Sequence, residues 1–197
     1  MTDSPVPRRL GLFGGSFNPV HWAHLLVAQA ATEELALDRL CFIPAAQSPF
    51  KQGLALAPAE LRLRMLRLAL AGRTQWCVDD QEIRRGGVSY TVETVRDYAA
   101  RFPGAELVYL IGADHVPQLP RWREAGELAQ RLTFAVIPRP DEPPAPAPAG
   151  FQVRELRGFP LAVSASQIRE RIQAGLPIDL LVPPGVAEVI LRNQLYR

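Results

Sequence analysis

The sequence predicts an α/β protein: one doubly wound parallel sheet with helices on both faces, in a single domain over residues 1–197. Three observations predict it. Short apolar runs alternate with longer amphipathic stretches along the chain. Proline and glycine punctuate the joints between them. A length of 197 residues, 48% of them hydrophobic, suffices for one sizeable core.

The elements follow in order. Residues 10–13 read as a buried strand running into Gly14 and Gly15, and 22–36 as a helix. Strand 39–43 ends at Pro44. Helix 59–71 has Pro58 at its start and Gly72 past its end, the usual asymmetry. Strand 75–79, helix 91–101, strand 107–111, helix 123–131 and strand 133–137 continue the alternation. Residues 138–150 read as a proline-rich loop, after which the apolar pattern resumes at 151–156. Helices 165–174 and 184–193 close the chain, and residues 1–8 read as a flexible N-terminus. In such a sheet, ligands bind beyond the carboxyl ends of the strands, where the strand order reverses.

Composition excludes several classes. The N-terminus carries no apolar stretch of signal-peptide length, and no segment approaches a membrane span, so a cytoplasmic protein is expected. Cys41 and Cys77 fall in strands, lack metal-type spacing, and read as two buried free thiols. A net charge of +2, with arginines spread among the acids, does not mark a nucleic-acid binder. Of 22 basic residues one is a lysine, Lys51, in a loop expected on the ligand-binding face.

The most informative segment is GGSFNPVHWAH, residues 14–24. Glycines bring backbone N–H groups close to a ligand, and a helix start adds free N–H groups with partial positive charge. Together they form a phosphate-binding corner. His21 and His24, at i and i+3, face the same side of that helix. A dinucleotide fingerprint is excluded, because the G-x-G-x-x-G spacing is missing and no acid ends the second strand; no Walker-type P-loop occurs either. Near the other end, SASQIRER opens a helix. Ser164 there reads as an N-cap, and the same helix start offers a second anion site with the Ser166 hydroxyl and Arg169. Between these lie Ser89-Tyr90-Thr91, a hydroxyl-bearing helix start able to hold a carboxylate, and Asp114, suited to capping a turn or to accepting from a base or ribose. Trp122 is either core or a flat platform for an aromatic ring, and His115 reads as an exposed loop residue.

GGSFNPVHWAH resembles the first signature, H-x-G-H, of a nucleotidyltransferase superfamily, with Ala23 in place of its glycine. SASQIR resembles the second, S-x-T-x-I-R. With Ser89–Thr91, the I-G-x-D segment ending at Asp114, Trp122 and the Arg139-Pro140 step, the pattern is similar to the bacterial nicotinate-nucleotide adenylyltransferase family over nearly the whole chain. The resemblance implies a Rossmann-like fold and adenylyl transfer from ATP to nicotinate mononucleotide, with Mg²⁺ held mainly by ATP and water and no protein metal site. It implies that ATP is held by Gly14, Gly15, Ser16, Phe17, His21, His24, Gly112, Asp114, Arg139, Ser166, Ile168 and Arg169. It places the mononucleotide on Ser16, Lys51, Tyr90, Thr91 and Trp122, and makes His21, His24, Lys51 and Arg169 the catalytic set. The chain departs from the family at Phe50, where histidine is usual, and at Asn18, where aspartate is common. Enzymes of the same superfamily that use nicotinamide mononucleotide or phosphopantetheine remain alternatives, as does a nucleotide-binding module without catalysis. Homo-oligomer formation is left open.

Overall fold

A computed structural model describes residues 6–49, 55–137, 146–159 and 161–197. Six strands form one parallel sheet: β1 (Arg9–Gly15), β2 (Arg39–Pro44), β3 (Trp76–Val78), β4 (Glu106–Gly112), β5 (Leu132–Ile137) and β6 (Gln152–Glu155). Their order is β3-β2-β1-β4-β5-β6. The chain winds outward from β1 in one direction, then returns to lay β4 on its other side. The strand order reverses between β1 and β4, so a crevice opens beyond their carboxyl ends. This is the expected Rossmann-like architecture.

Strands β1, β2, β4 and β5 bury both faces, while edge strand β6 is largely exposed, and alternation assigns the side chains to two cores. Phe13, Leu40, Phe42, Val108 and Leu110 face α1 (Trp22–Glu34), α2 (Ala59–Ala69) and α7 (Pro184–Arg192). Leu10, Leu12, Ile43, Tyr109 and Val136 face the other side. There they meet α4 (Thr91–Arg101) through Val92, Val95 and Tyr98, and α5 (Ala125–Arg131) through Leu128. Helix α1 buries Ala28 and Ala31 beside Leu25, small residues that let its axis lie close to the sheet. Helix α6 (Ala165–Gln173) contributes Ile168.

Two elements lie outside the sequence reading: a single-turn helix, α3 (Gln81–Arg85), and a 3₁₀ helix, Ala113–Arg121, which runs through Pro117 and Pro120. Helix α5 starts at Ala125 instead of 123, because Glu124 adopts a left-handed φ of 54° at its N-cap. Residues 1–5 and 138–145 lie outside the described residues. Arg8, placed in the flexible N-terminus, is fastened: its N–H donates to Asp38 Oδ2 at 2.7 Å, and its carbonyl accepts from Glu106.

The two cysteines also require correction. They are not separate free thiols. The β2–β3 register sets Cys41 opposite Cys77 with Cα atoms 4.7 Å apart, and the two are joined as a disulfide. Paired residues of a parallel ladder project from the same face, which brings the two sulfurs together.

Candidate active site

The first wall is built where β1 ends. Phe17 takes a left-handed φ of 43° and turns the chain back on itself. A Cβ on Gly15 would lie 3.1 Å from the Phe17 ring, and one on Gly14 would collide with the Tyr109 hydroxyl. The sequence reading gave both glycines to close approach by a ligand. Both do line the crevice, and a side chain at either would also press on a protein neighbour, most severely on the Tyr109 hydroxyl at Gly14.

His21 is the N-cap of α1, and its N–H donates to His24 Nδ1 at 3.3 Å. A backbone N–H can only donate, so His24 Nδ1 is unprotonated and the ring's remaining nitrogen, Nε2, carries the proton. The two imidazole centroids lie 3.8 Å apart, and the His24 ring packs against Phe13 and Phe17. His21 is 5% exposed. Burial lowers its pKa to about 4, so it is neutral at physiological pH. Its Nδ1 is buried with no hydrogen-bond partner among the described residues.

The second wall comes from α6. Ser164 caps it: its hydroxyl accepts from Gln167 N–H at 3.2 Å, and Gln167 Oε1 accepts from Ser164 N–H at 2.9 Å. Arg169 bends back to the first wall, where Nη1 donates to the Asn18 carbonyl at 2.8 Å and Nη2 donates to Ser166 Oγ at 3.2 Å. Asn18 is a junction that the motif reading did not anticipate. Its Oδ1 accepts from Ala57 N–H and from the Tyr196 hydroxyl, each at 2.9 Å. The chain's penultimate residue is thereby tied to the loop after its first strand.

Both walls open on one cavity of about 640 Å³, within the usual range for small-molecule sites. Gly14, Gly15, Ser16, Phe17, His21, His24, Gly112, Ser166 and Arg169 line it. Ser89, Thr91, Tyr109, His115 and Trp122 line it as well. Edge-on contacts hold Trp122 against Tyr109, His115 and Phe134, with centroids 6.0–6.2 Å apart. The tryptophan packs on the core and also lines the cavity. His115 is half-buried on the 3₁₀ helix instead of exposed in a loop, because that helix turns it toward Trp122.

Several residues assigned from sequence stand elsewhere. Ile168 is fully buried in the core. Asp114 is exposed and lies off the cavity wall. The Tyr90 ring lies under the Arg123 guanidinium, 4.5 Å away, while its backbone forms the N-cap of α4. Lys51, Phe50 and Arg139 lie outside the described residues. Glu82 was missed. It sits on α3, is buried, lines the cavity, and accepts from Thr94 Oγ1 at 2.6 Å. Burial raises its pKa, against the hydroxyls of Thr94 and Ser89, which lower it. Among the described residues, no group of three or more His, Cys, Asp or Glu could hold a metal ion, and no helix is long and apolar enough to cross a membrane.

Comparison with known proteins agrees with this geometry. Residues 12–171 match the model of the cytidylyltransferase-like family. A protein of Opitutus terrae is 39% identical over 191 residues, covering 96% of this chain and 98% of its own. One of Bordetella pertussis is 42% identical over 197 residues, with the same coverage. Each is described as a probable nicotinate-nucleotide adenylyltransferase. The fold is shared with the Plasmodium falciparum nicotinic acid mononucleotide adenylyltransferase complexed with NaAD: TM-score 0.78 at 16% identity, covering 96% of this chain and 97% of that one. With both signatures on one cavity, this chain belongs to the cytidylyltransferase-like family and, within it, to the nicotinate-nucleotide adenylyltransferases.

Proposed function

We propose that this protein joins nicotinate mononucleotide to ATP, releasing nicotinate adenine dinucleotide and pyrophosphate, a step of NAD biosynthesis in the cytoplasm. The observation that carries the reading is the meeting of His21, His24 and Arg169, from opposite ends of the chain, on the wall of one cavity. A phosphate oxygen of the mononucleotide attacks the α-phosphorus of ATP. A new P–O–P bond forms, and the bond to the β-phosphate breaks. The nucleophile is already an anion, so no general base is required. The obstacle is the repulsion between two polyanions and the charge on the reacting phosphates, and catalysis is positioning plus electrostatic stabilisation.

His24 is the preorganised donor, through Nε2–H, with His21 beside it. Arg169 supplies fixed positive charge and is itself aimed by Asn18 and Ser166. Lys51 adds a second charge to the phosphates. Gly14–Phe17 and Gly112 give the close approach for ATP, and the family resemblance assigns Arg139 and Asp114 to its binding as well. Mg²⁺ would be held mainly by ATP oxygens and water, where it would neutralise phosphate charge; among the described residues no group of three or more His, Cys, Asp or Glu offers it a site. The nicotinate ring lies on Trp122, and its carboxylate meets the start of α4 at Thr91 and the Tyr90 backbone.

The deciding experiment supplies ATP with nicotinate mononucleotide and nicotinamide mononucleotide in parallel and measures pyrophosphate release. Release should be faster with the acid. No pyrophosphate with either, or a preference for the amide, would overturn the assignment. Trp122→Ala should raise the Michaelis constant for the mononucleotide more than that for ATP. Equal changes in both constants would make Trp122 a purely structural residue.

A further inference from the structure

We propose that Arg62, which does not line the cavity, is a positioning residue that sets the phosphate-binding loop at Ser16 and the backbone at Ala45 and Ala57 with one buried guanidinium. The proposal rests on the adenylyl-transfer reading above.

Arg62 lies in the first turn of α2 and is 2% exposed. Two costs attend it there. Burying a cation is expensive unless it is paired, and a positive charge in the first turn opposes the helix dipole. The neighbour that favours its charge is the Tyr196 phenol, not a carboxylate. Burial lowers its pKa, yet guanidinium keeps its proton at any physiological pH. What it has instead of an acid is three carbonyls: Nη1 donates to Ser16 at 2.9 Å and Ala45 at 2.8 Å, and Nε donates to Ala57 at 3.1 Å.

Each carbonyl belongs to a segment that shapes the cavity. A trans peptide sets its C=O and the following N–H in opposite directions. Drawing the Ser16 carbonyl to Arg62 therefore turns the Phe17 N–H away from it. Drawing the Ala45 carbonyl in turns Ala46 N–H the other way, where it donates to Ser89 Oγ at 3.0 Å. Ala45 and Ala57 bracket segment 46–56, whose described parts contribute Ser48, Pro49, Ala55 and Leu56 to the cavity. One planar fork thus holds the loop after β1 together with the backbone at Ala45 and Ala57. It also leaves a positive charge, with no carboxylate bonded to it among the described residues, behind a site built for a triphosphate, where screening is weak.

Two variants test this by calorimetric ATP binding without a second substrate, well below the melting temperature. Arg62→Lys keeps the charge but cannot span three carbonyls with one ammonium, and should weaken ATP binding about tenfold. Arg62→Gln also loses the charge and should weaken it by about thirtyfold or more. A merely structural residue would lower the melting temperature and leave the Kd of the folded protein unchanged; that result overturns the proposal. If neither variant folds, the wild type decides. The Arg62 Nε–H resonance should exchange slowly with solvent and shift when ATP is added, and a resonance that stays put on saturation overturns it. Because ATP binding is read alone, failure to use nicotinate mononucleotide would sink the functional reading without touching this one.

Discussion

His24→Ala should cut turnover by about 10²-fold or more, the scale for removing one preorganised donor from a charge-stabilising site. The basis is a fixed tautomer. The His21 N–H occupies His24 Nδ1, leaving Nε2–H as the group able to donate to a phosphate. The ring is also held edge-on against Phe17 and tilted against Phe13, so its direction is set before any ligand arrives. Asparagine can replace the donor but not the fixed direction, so His24→Asn should fall between wild type and alanine. Steady-state pyrophosphate release, with melting curves to establish folding, measures this. A folded alanine variant with near-normal turnover would remove His24 from the mechanism.

The second large effect is on stability. His21 is buried neutral, with a pKa of about 4 against 6.5 for the free side chain. The unfolded chain therefore takes up a proton below about pH 6.5, while the folded protein resists until about pH 4. The stabilisation is fully present above pH 6.5 and is lost as pH falls toward 4. It amounts to about 3 kcal/mol at most, from the size of the shift. Glu82 works in the opposite direction, since its raised pKa favours the folded state as pH drops. Comparing wild type with His21→Gln cancels that contribution. Urea denaturation at pH 7, 6, 5 and 4 should show the gap between the two proteins shrinking through this window. A constant gap would mean that His21 is not buried neutral.

The strands and long helices were legible because their signals are local. Val92, Val95 and Tyr98 mark one helix face, and short apolar runs fill the central strands. Helix α4 is observed at the residues read from sequence, Thr91–Arg101. The 3₁₀ helix was hidden because prolines 117 and 120 read as breakers, although proline fits the tighter turn's dihedrals. A helix of five residues, α3, is too short to show a period, so Glu82 went unnoticed with it. The disulfide depends on strand register, which a single sequence does not display. Arg62 is the clearest case. Beside Arg64 and Arg67 it reads as another solvated charge, yet it falls between the faces marked by Leu63, Met65 and Leu66 and is buried with them. The two signatures themselves were readable, since backbone turns, caps and imidazole spacing are encoded within a few residues.

The hydroxyl of Tyr196 on Asn18 makes the last turn of the chain a brace for the nucleotide pocket. A purification handle fused behind Arg197 would start one residue from that brace and could pull it loose. Trimming the final two residues should act like a lesion in the pocket itself, felt first as poorer ATP retention.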